Sequence, residues 1–283
     1  MVSILKDIPI DGVKIVPCRI AVGNRGVVKS FLVAGEDRVI LVDTGASDAD
    51  ADIIMDAVKD MGQQHADLKL CILTHRHGDH TGGLKKLKKT LKFEVMAHEL
   101  DMPAIHQATG YDVEHVVKGG ESLPDCGGIN VIHTPGHTAG HISLHLPRIK
   151  TMIAGDAVVS AGEHLVVSPT YLSSDPEAAH ASVRRLIAMN LDLERLLVGH
   201  GDDVYFGAKE NLARIFNAFE QGEAQVIREF GGLGLGLAIS RALVELHGAM
   251  AHGPQRIAEI IQLAGRQQPA VLLLDVYFQF RPL

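Results

Sequence analysis

The sequence predicts a mixed α/β domain over residues 1–213, followed by an appendage of different character over residues 214–283. Three observations carry that reading. Short apolar runs end repeatedly at Gly, Asp or His, as strands do where they run into loops. Residues 48–61 carry their apolar side chains at helical spacing. The composition, 46% hydrophobic and 22% charged over 283 residues, provides ample material for a core.

Taken in order, Val13-Lys14-Ile15-Val16, Val27 to Val33 and Arg38 to Val42 read as strands, separated by the turn signals Gly23-Asn24-Arg25-Gly26 and Gly35-Glu36-Asp37. Ile53, Ile54, Ala57, Val58 and Met61 then form one apolar stripe, so the helix from Asp48 to Met61 should cover a sheet face. Leu68 to Leu73 is short and rich in Leu and Ile, which suits a buried strand, and Gly82-Gly83-Leu84 with the lysines after it suits a helix start. Lys92 to Ala97 is a further strand, and residues 98–120 read as irregular. Ile129 to His133, Ile142 to Leu146 and Thr151 to Ala154 are strands; Pro176 to Ala188 is a helix capped by Asp175; Leu193 to Val198 is the last strand.

The formal net charge of −7 leaves no global basic field to attract nucleic acid. Lys85, Lys86, Lys88, Lys89 and Lys92 read as one solvated helix face that could still favour an anionic substrate. No basic segment followed by an apolar one opens the chain, and no apolar run approaches the roughly 20 residues that span a bilayer, so a cytoplasmic location is expected. Cys18, Cys71 and Cys126 are odd in number and read as small buried apolar residues.

One stretch concentrates chemistry. Thr74-His75-Arg76-His77-Gly78-Asp79-His80-Thr81-Gly82-Gly83 sets three imidazoles and a carboxylate within six positions directly after a strand, where open α/β sheets place ligand sites. Imidazole nitrogens and carboxylate oxygens suit zinc above all; the aspartates also suit Mn²⁺ or Fe²⁺, and Mg²⁺ or Ca²⁺ fits an oxygen-richer position. Further candidates stand at other strand ends beside glycine: His137 in Thr134-Pro135-Gly136-His137-Thr138-Ala139-Gly140-His141, Asp156 after Met152-Ile153-Ala154-Gly155, and His200 in Val198-Gly199-His200-Gly201.

This order of residues, with Val42-Asp43-Thr44-Gly45 upstream, resembles the metallo-β-lactamase superfamily of binuclear metallohydrolases over about residues 10–213. The resemblance implies a four-layer αβ/βα sandwich with the metals at one edge. It assigns His75, His77 and His137 to a first divalent cation, Asp79, His80 and His200 to a second, and Asp156 as the bridge. Asp43 and His141 would orient the ligands. A hydroxide bridging the cations would attack an ester bond, with Asp79 as the catalytic side chain holding the water. Superfamily members with this ligand set act on carboxylic esters, thioesters, lactones and phosphodiesters. Lactonases carry Tyr three residues after the bridging Asp, where this chain has Val159. That departure sets phosphodiester hydrolysis ahead of an N-acyl homoserine lactonase or a glyoxalase II-like thioesterase. A non-catalytic, metal-dependent binding protein is the reading from another class. Tyr111, His164 and Tyr171 are the candidates for substrate contact, and His98, His106 and His115 lie with Tyr111 in the stretch 98–120 that the resemblance sets beside the site. The expected partner is a small-molecule ester, with a homodimer as the candidate assembly.

From Ile215 the text changes. Ile215 to Gly222, Gly231 to Ser240 and Ala242 to Gly248 resemble the end of a histidine kinase ATP-binding domain, without that family's earlier nucleotide-binding boxes. Pro254 to Leu283 is apolar enough in part to need burial, and the expectation is that this tail packs on the hydrolase body or a partner, partly covering the site.

Overall fold

Alternate residues of the central strands face two different cores, and this fixes the layers. In β4 (Val39–Val42), Ile40 and Val42 join one hydrophobic cluster while Val39 and Leu41 join another. A strand buried on both faces must be apolar throughout, which is why it reads as an unbroken run. The computed structural model describes residues 8–216, except 11, 22–26, 37, 64–66 and 162–163. The Gly23–Gly26 turn and the kinase-like and apolar stretches beyond residue 216 therefore lie outside the described residues.

The first sheet has the order β1 (Ile8–Ile10), β2 (Val13–Ala21), β3 (Val27–Ala34), β4, β5 (Leu68–Ile72), β6 (Glu94–His98), β7 (His115–Val117). Its first four strands form an antiparallel meander, and β4 to β7 run parallel. The second sheet runs β14 (Arg195–Leu197), β11 (Thr151–Ile153), β10 (Ile142–Leu146), β9 (Ile129–His133), β8 (Ser122–Leu123), antiparallel except for the β11–β14 pair. Side chains of both sheets interdigitate in one cluster: Ile15, Phe31, Val33, Ile40 and Ile72 from the first, Val131, Ile142, Leu144, Ile153 and Leu197 from the second. The other face of the first sheet is covered by α1 (Asp48–Asp60) and α3 (Leu84–Thr90), through Ile54, Val58, Leu84 and Leu87. Beyond the second sheet, α5 (Pro176–Ala188) is tied to the end of β9, where Ser182 donates to the Pro135 carbonyl at 2.7 Å and Arg185 to that of His133. The architecture is the αβ/βα sandwich.

Asp175 caps α5 by accepting from the Ala178 amide at 3.0 Å, as its place before Pro176 predicts. Three expectations need correction. Residues 98–120 are not irregular: they hold α4 (Met102–Thr109), ended by Gly110 in the left-handed region, and β7. Met102, Ala104, Ile105 and Ala108 are its small set of apolar side chains, too few over eight residues for periodicity to register. A hairpin of β12 (Val158–Ala161) and β13 (His164–Val167) also escaped the sequence reading. Nor do the lysines form one solvated face: Lys88, 10% exposed, reaches Glu114 at 2.6 Å and the Phe93 carbonyl at 2.7 Å, while Lys86 pairs with Asp52. All three cysteines are buried and none is in a disulfide, and burial pushes the Cys18 thiol up to about 12. Among the described residues no helix is long and apolar enough to cross a membrane.

Candidate metal centre

The strands end at one edge of the sandwich, and there the loops bring their histidines and carboxylates together. The loop after β5 delivers His75, His77, Asp79 and His80, the last two from α2 (Gly78–Thr81). The loops after β9, β11 and β14 deliver His137, Asp156 and His200 singly. Donor atoms of His75, His77 and His137 lie within 4.8 Å of one another, as do those of Asp79, His80 and His200, and those of His75, His80 and Asp156.

Hydrogen bonds on the far side of each ring fix which nitrogen faces inward. Asp43 accepts from the Thr74 amide and hydroxyl, both at 2.8 Å, so the Thr74 oxygen is left to accept from His75 Nδ1 at 3.0 Å. His80 Nδ1 lies 2.8 Å from Asp43 Oδ2, and Ser168 Oγ lies 2.8 Å from His137 Nδ1. His200 Nδ1 donates to the Val27 carbonyl at 3.1 Å. Each of these rings thus turns its Nε2 inward, the arrangement that orients a metal ligand and raises its basicity. Asp43 holds φ +61°, uncommon for a residue other than glycine, and the three hydrogen bonds of its carboxylate keep it there.

His141 is oriented differently. Its Nε2 accepts the Asp156 amide at 2.9 Å and its Nδ1 donates to Thr134 Oγ1 at 2.8 Å, so it holds the backbone of Asp156 and offers no free lone pair. The His200 loop is pinned to β3 by Lys29, whose buried ammonium reaches Asp203 at 2.5 Å and the Gly201 carbonyl at 2.8 Å. Gly199 has to be glycine because a Cβ there would run into Asp156 Oδ1.

The donor set fits divalent cations. His77 Nδ1 and His75 Nε2 stand 2.8 and 3.2 Å from His137 Nε2, three ring nitrogens converging on one point. Asp156 Oδ1 is buried with no hydrogen bond, and His80 Nε2 stands 3.4 Å from it. A buried carboxylate oxygen left in that state is costly unless a cation satisfies it. Electrostatics agree. Burial pulls His200 down, but hydrogen bonds to Asp156 and Asp79 outweigh it and raise the ring to about 9. Burial likewise opposes protonation of His80, and the Asp156 and Asp43 carboxylates overcome it, holding His80 well above its ordinary range. His137, mainly desolvated, falls to about 4, and burial drives His75 and His141 well below the usual value. The cluster gathers positive charge beside its carboxylates and keeps the other rings neutral, ready to act as ligands.

The structure does not bring all the substrate candidates to this edge. Tyr111 packs against the outer cluster of the first sheet, and His164 is exposed at the tip of the β12–β13 hairpin, three rungs from Val158. Tyr171 lies on a segment that touches the cluster, exposed between Ser168 and Ser174, both of which hydrogen-bond to His137. His98 is buried and stacked on His133 with ring centroids 4.0 Å apart, while His106 and His115 pair with Asp112 and Glu94 at the surface. Sequence reasoning missed Thr74, Thr134, Ser168 and the Lys29–Asp203 pair. Thr74 adjoins a candidate ligand in the motif and could have been flagged there; Ser168, 31 residues from His137, had no local signal.

Comparison with known proteins yields the following. A family model described as the Metallo-beta-lactamase superfamily matches residues 23–200. The chain is 28% identical over 203 residues to a probable metallo-hydrolase, YflN, of Bacillus subtilis (strain 168), covering 57% of this chain and 75% of that one. It is 35% identical over 139 residues to the hydroxyacylglutathione hydrolase of Halorhodospira halophila (strain DSM 244 / SL1), covering 47% of each. The chain thus spans about half the length of that relative. Among solved structures, the metallo-beta-lactamase from Pontibacter korlensis superposes with a TM-score of 0.64 at 17% identity, over 78% of this chain and 99% of that one. Native FEZ-1 metallo-beta-lactamase from Legionella gormanii gives 0.57 at 21% identity, over 82% and 99%. At such identities the structures speak for the fold alone.

Proposed function

The chain belongs to the metallo-β-lactamase superfamily of metallohydrolases, and on that premise we propose that it hydrolyses an acyl ester at a binuclear metal site, with a thioester as the substrate class. One observation carries the binuclear reading. The Asp156 carboxylate stands between the two groups of donors, 3.5 Å from His137 Nε2 on one side and 3.4 and 3.3 Å from His80 Nε2 and His200 Nε2 on the other. His75, His77 and His137 would hold one cation, Asp79, His80 and His200 the second, and Asp156 both. Zinc is the metal that best suits so many imidazoles. Two such cations supply Lewis acidity toward the ester carbonyl and acidify water.

The chain's own residues do the rest. Asp79 is half-exposed, with Oδ2 3.3 Å from His200 Nε2. Burial pushes its pKa up, but the hydrogen bond from His200 prevails and keeps it ionised. An ionised carboxylate at the mouth can orient the attacking water and take up its proton. His141, through the Asp156 amide, and Asp43, through Thr74 and His80, keep the donors from drifting. Relatives named hydroxyacylglutathione hydrolase support a thioester over the phosphodiester that the residue pattern alone placed first. So does leaving-group chemistry: a thiol of pKa about 8.5 departs as thiolate with little acid assistance.

The test is turnover by chelator-stripped protein reloaded separately with Zn²⁺ and Mn²⁺, on a 2-hydroxyacyl-glutathione thioester, an N-acyl homoserine lactone and a chromogenic phosphodiester. Metal-dependent thioester hydrolysis is expected to exceed the other two by at least about tenfold. Phosphodiester turnover with silent acyl substrates would overturn the thioester reading. Silence on all three with both metals bound would favour a binding protein.

A further inference from the structure

We propose that Asp101 is the positioning residue of the first cation site: a single buried carboxylate that locks the loop of His75 and His77 to the loop of His137. The inference rests on the reading that these three histidines hold a cation. Asp101 is fully buried, at the turn between β6 and α4. Its Oδ1 accepts from Arg76 Nη1 at 2.9 Å and from the Gly140 amide at 3.0 Å. Its Oδ2 accepts from the Arg76 amide at 3.0 Å and from the Thr138 hydroxyl at 2.6 Å. Four donors occupy the four lone-pair directions of one carboxylate, so its place is determined on every side.

Those donors lie next to the ligands in the chain. Arg76 separates His75 from His77, so in this extended turn the two imidazoles point toward the donor cluster and the guanidinium points the other way, to Asp101. Thr138 follows His137, and Gly140 precedes His141. The second arm of Arg76 reaches Ser174 Oγ at 3.3 Å, and that hydroxyl donates to the His137 carbonyl at 3.1 Å, closing a ring around the loop. Gly140 permits the approach: a Cβ there would lie 2.6 Å from the Asp101 amide nitrogen and 2.8 Å from its Cγ.

Local structure alone does not account for Asp101. It occupies the N-cap of α4, where an aspartate ordinarily accepts an amide of its own first turn, yet its side chain makes no cap hydrogen bond. The carboxylate is turned away from its helix and spent on the two ligand loops. Supporting shells of this kind hold donor atoms to within about 0.5 Å of the geometry a cation demands.

The experiment titrates chelator-stripped protein with Co²⁺, reading stoichiometry, affinity and the d–d absorption spectrum, beside circular dichroism and melting of the metal-free protein. Wild type is expected to take up two equivalents. Asp101→Asn places an amide donor against the donors of Arg76, Thr138 or Gly140, and should weaken one equivalent by about 10–100-fold with an altered spectrum, leaving the other in place. Thr138→Val removes one of the four bonds at nearly constant shape and should shift the same equivalent severalfold. Val58→Ala, a core truncation under α1, sets the effect of lost stability alone and should bind Co²⁺ as wild type does. Wild-type Co²⁺ binding by Asp101→Asn overturns the proposal, as does a loss that Val58→Ala reproduces at an equal drop in melting temperature. Should Asp101→Asn fail to fold, Thr138→Val decides: wild-type affinity there overturns the proposal. Wild-type protein that binds no Co²⁺ overturns the cation reading and the proposal with it.

Discussion

The two ends of β10 carry a buried histidine each, and the two are treated in opposite ways. His141, just before the strand at the ligand edge, has both ring nitrogens engaged, one by the Asp156 amide and the other by Thr134, whose hydroxyl is in turn 3.0 Å from Ser143. His145, four residues on, is 6% exposed and neither ring nitrogen has a hydrogen-bond partner. One strand thus shows polar burial organised into a network and polar burial simply tolerated. The difference separates residues that serve the site from residues that only occupy the fold, because an unsatisfied buried group is a net cost while a satisfied network restricts geometry.

The contrast breaks most severely at the carboxylate that His141 supports. Asp156→Ala should abolish metal-dependent turnover, a loss of roughly a thousandfold or more on the scale of several kcal/mol that a metal supplies to the transition state. Metal-replete Asp156→Ala with wild-type rates would refute the shared-carboxylate reading. One step back, His141→Phe keeps a ring in place and leaves the Asp156 amide without its acceptor. Metal affinity should fall about 10–100-fold, read by competition with a chromogenic chelator.

A smaller effect separates the two kinds of burial by pH. His200 is held at about 9 by Asp156 and Asp79 against the pull of burial, so in chelator-stripped protein it carries a proton at pH 7. A cation must displace that proton. Calorimetry in buffers of differing ionisation enthalpy should therefore detect proton release at pH 7 that vanishes above about pH 9. The folded pKa exceeds the unfolded value of about 6.5, so the stability it contributes is complete below that value and is lost as the pH rises through about 9. An unchanged melting temperature of stripped protein between pH 6.5 and 9 would count against this assignment.

The smallest effect belongs to the far end of β10, and its sign is reversed. Burial lowers the pKa of His145, so the unfolded chain takes up a proton more readily and stability drains as the pH falls below about 6.5. His145→Leu removes two unsatisfied ring nitrogens and should stabilise the protein by about 1 kcal/mol, more at pH 5 than at pH 7. Denaturant midpoints at the two pH values would measure it, and destabilisation at both would mean the ring has a partner of its own.

The sequence by itself determined the candidate ligands and the strands that deliver them. His75, His77, Asp79 and His80 were legible because four donors crowd into six residues, and His137, Asp156 and His200 because each sits beside glycine at the end of an apolar run. The helix of α1 and the cap at Asp175 were legible for the same reason: their signals lie within a few residues of one another. Tertiary structure alone decided which groups stand behind the candidate ligands. Ser168 is 31 residues from His137, Lys29 is 174 from Asp203, and Asp101 gathers donors from positions 76, 138 and 140. It also removed Tyr111 to the outer core and His164 to a hairpin tip. Metal-binding residues announce themselves by their chemistry, since few roles other than binding gather so many imidazoles. Supporting groups are ordinary Ser, Thr, Lys and Asp residues, and only chain folding, which brings remote strand ends to a common edge, gives them their partners.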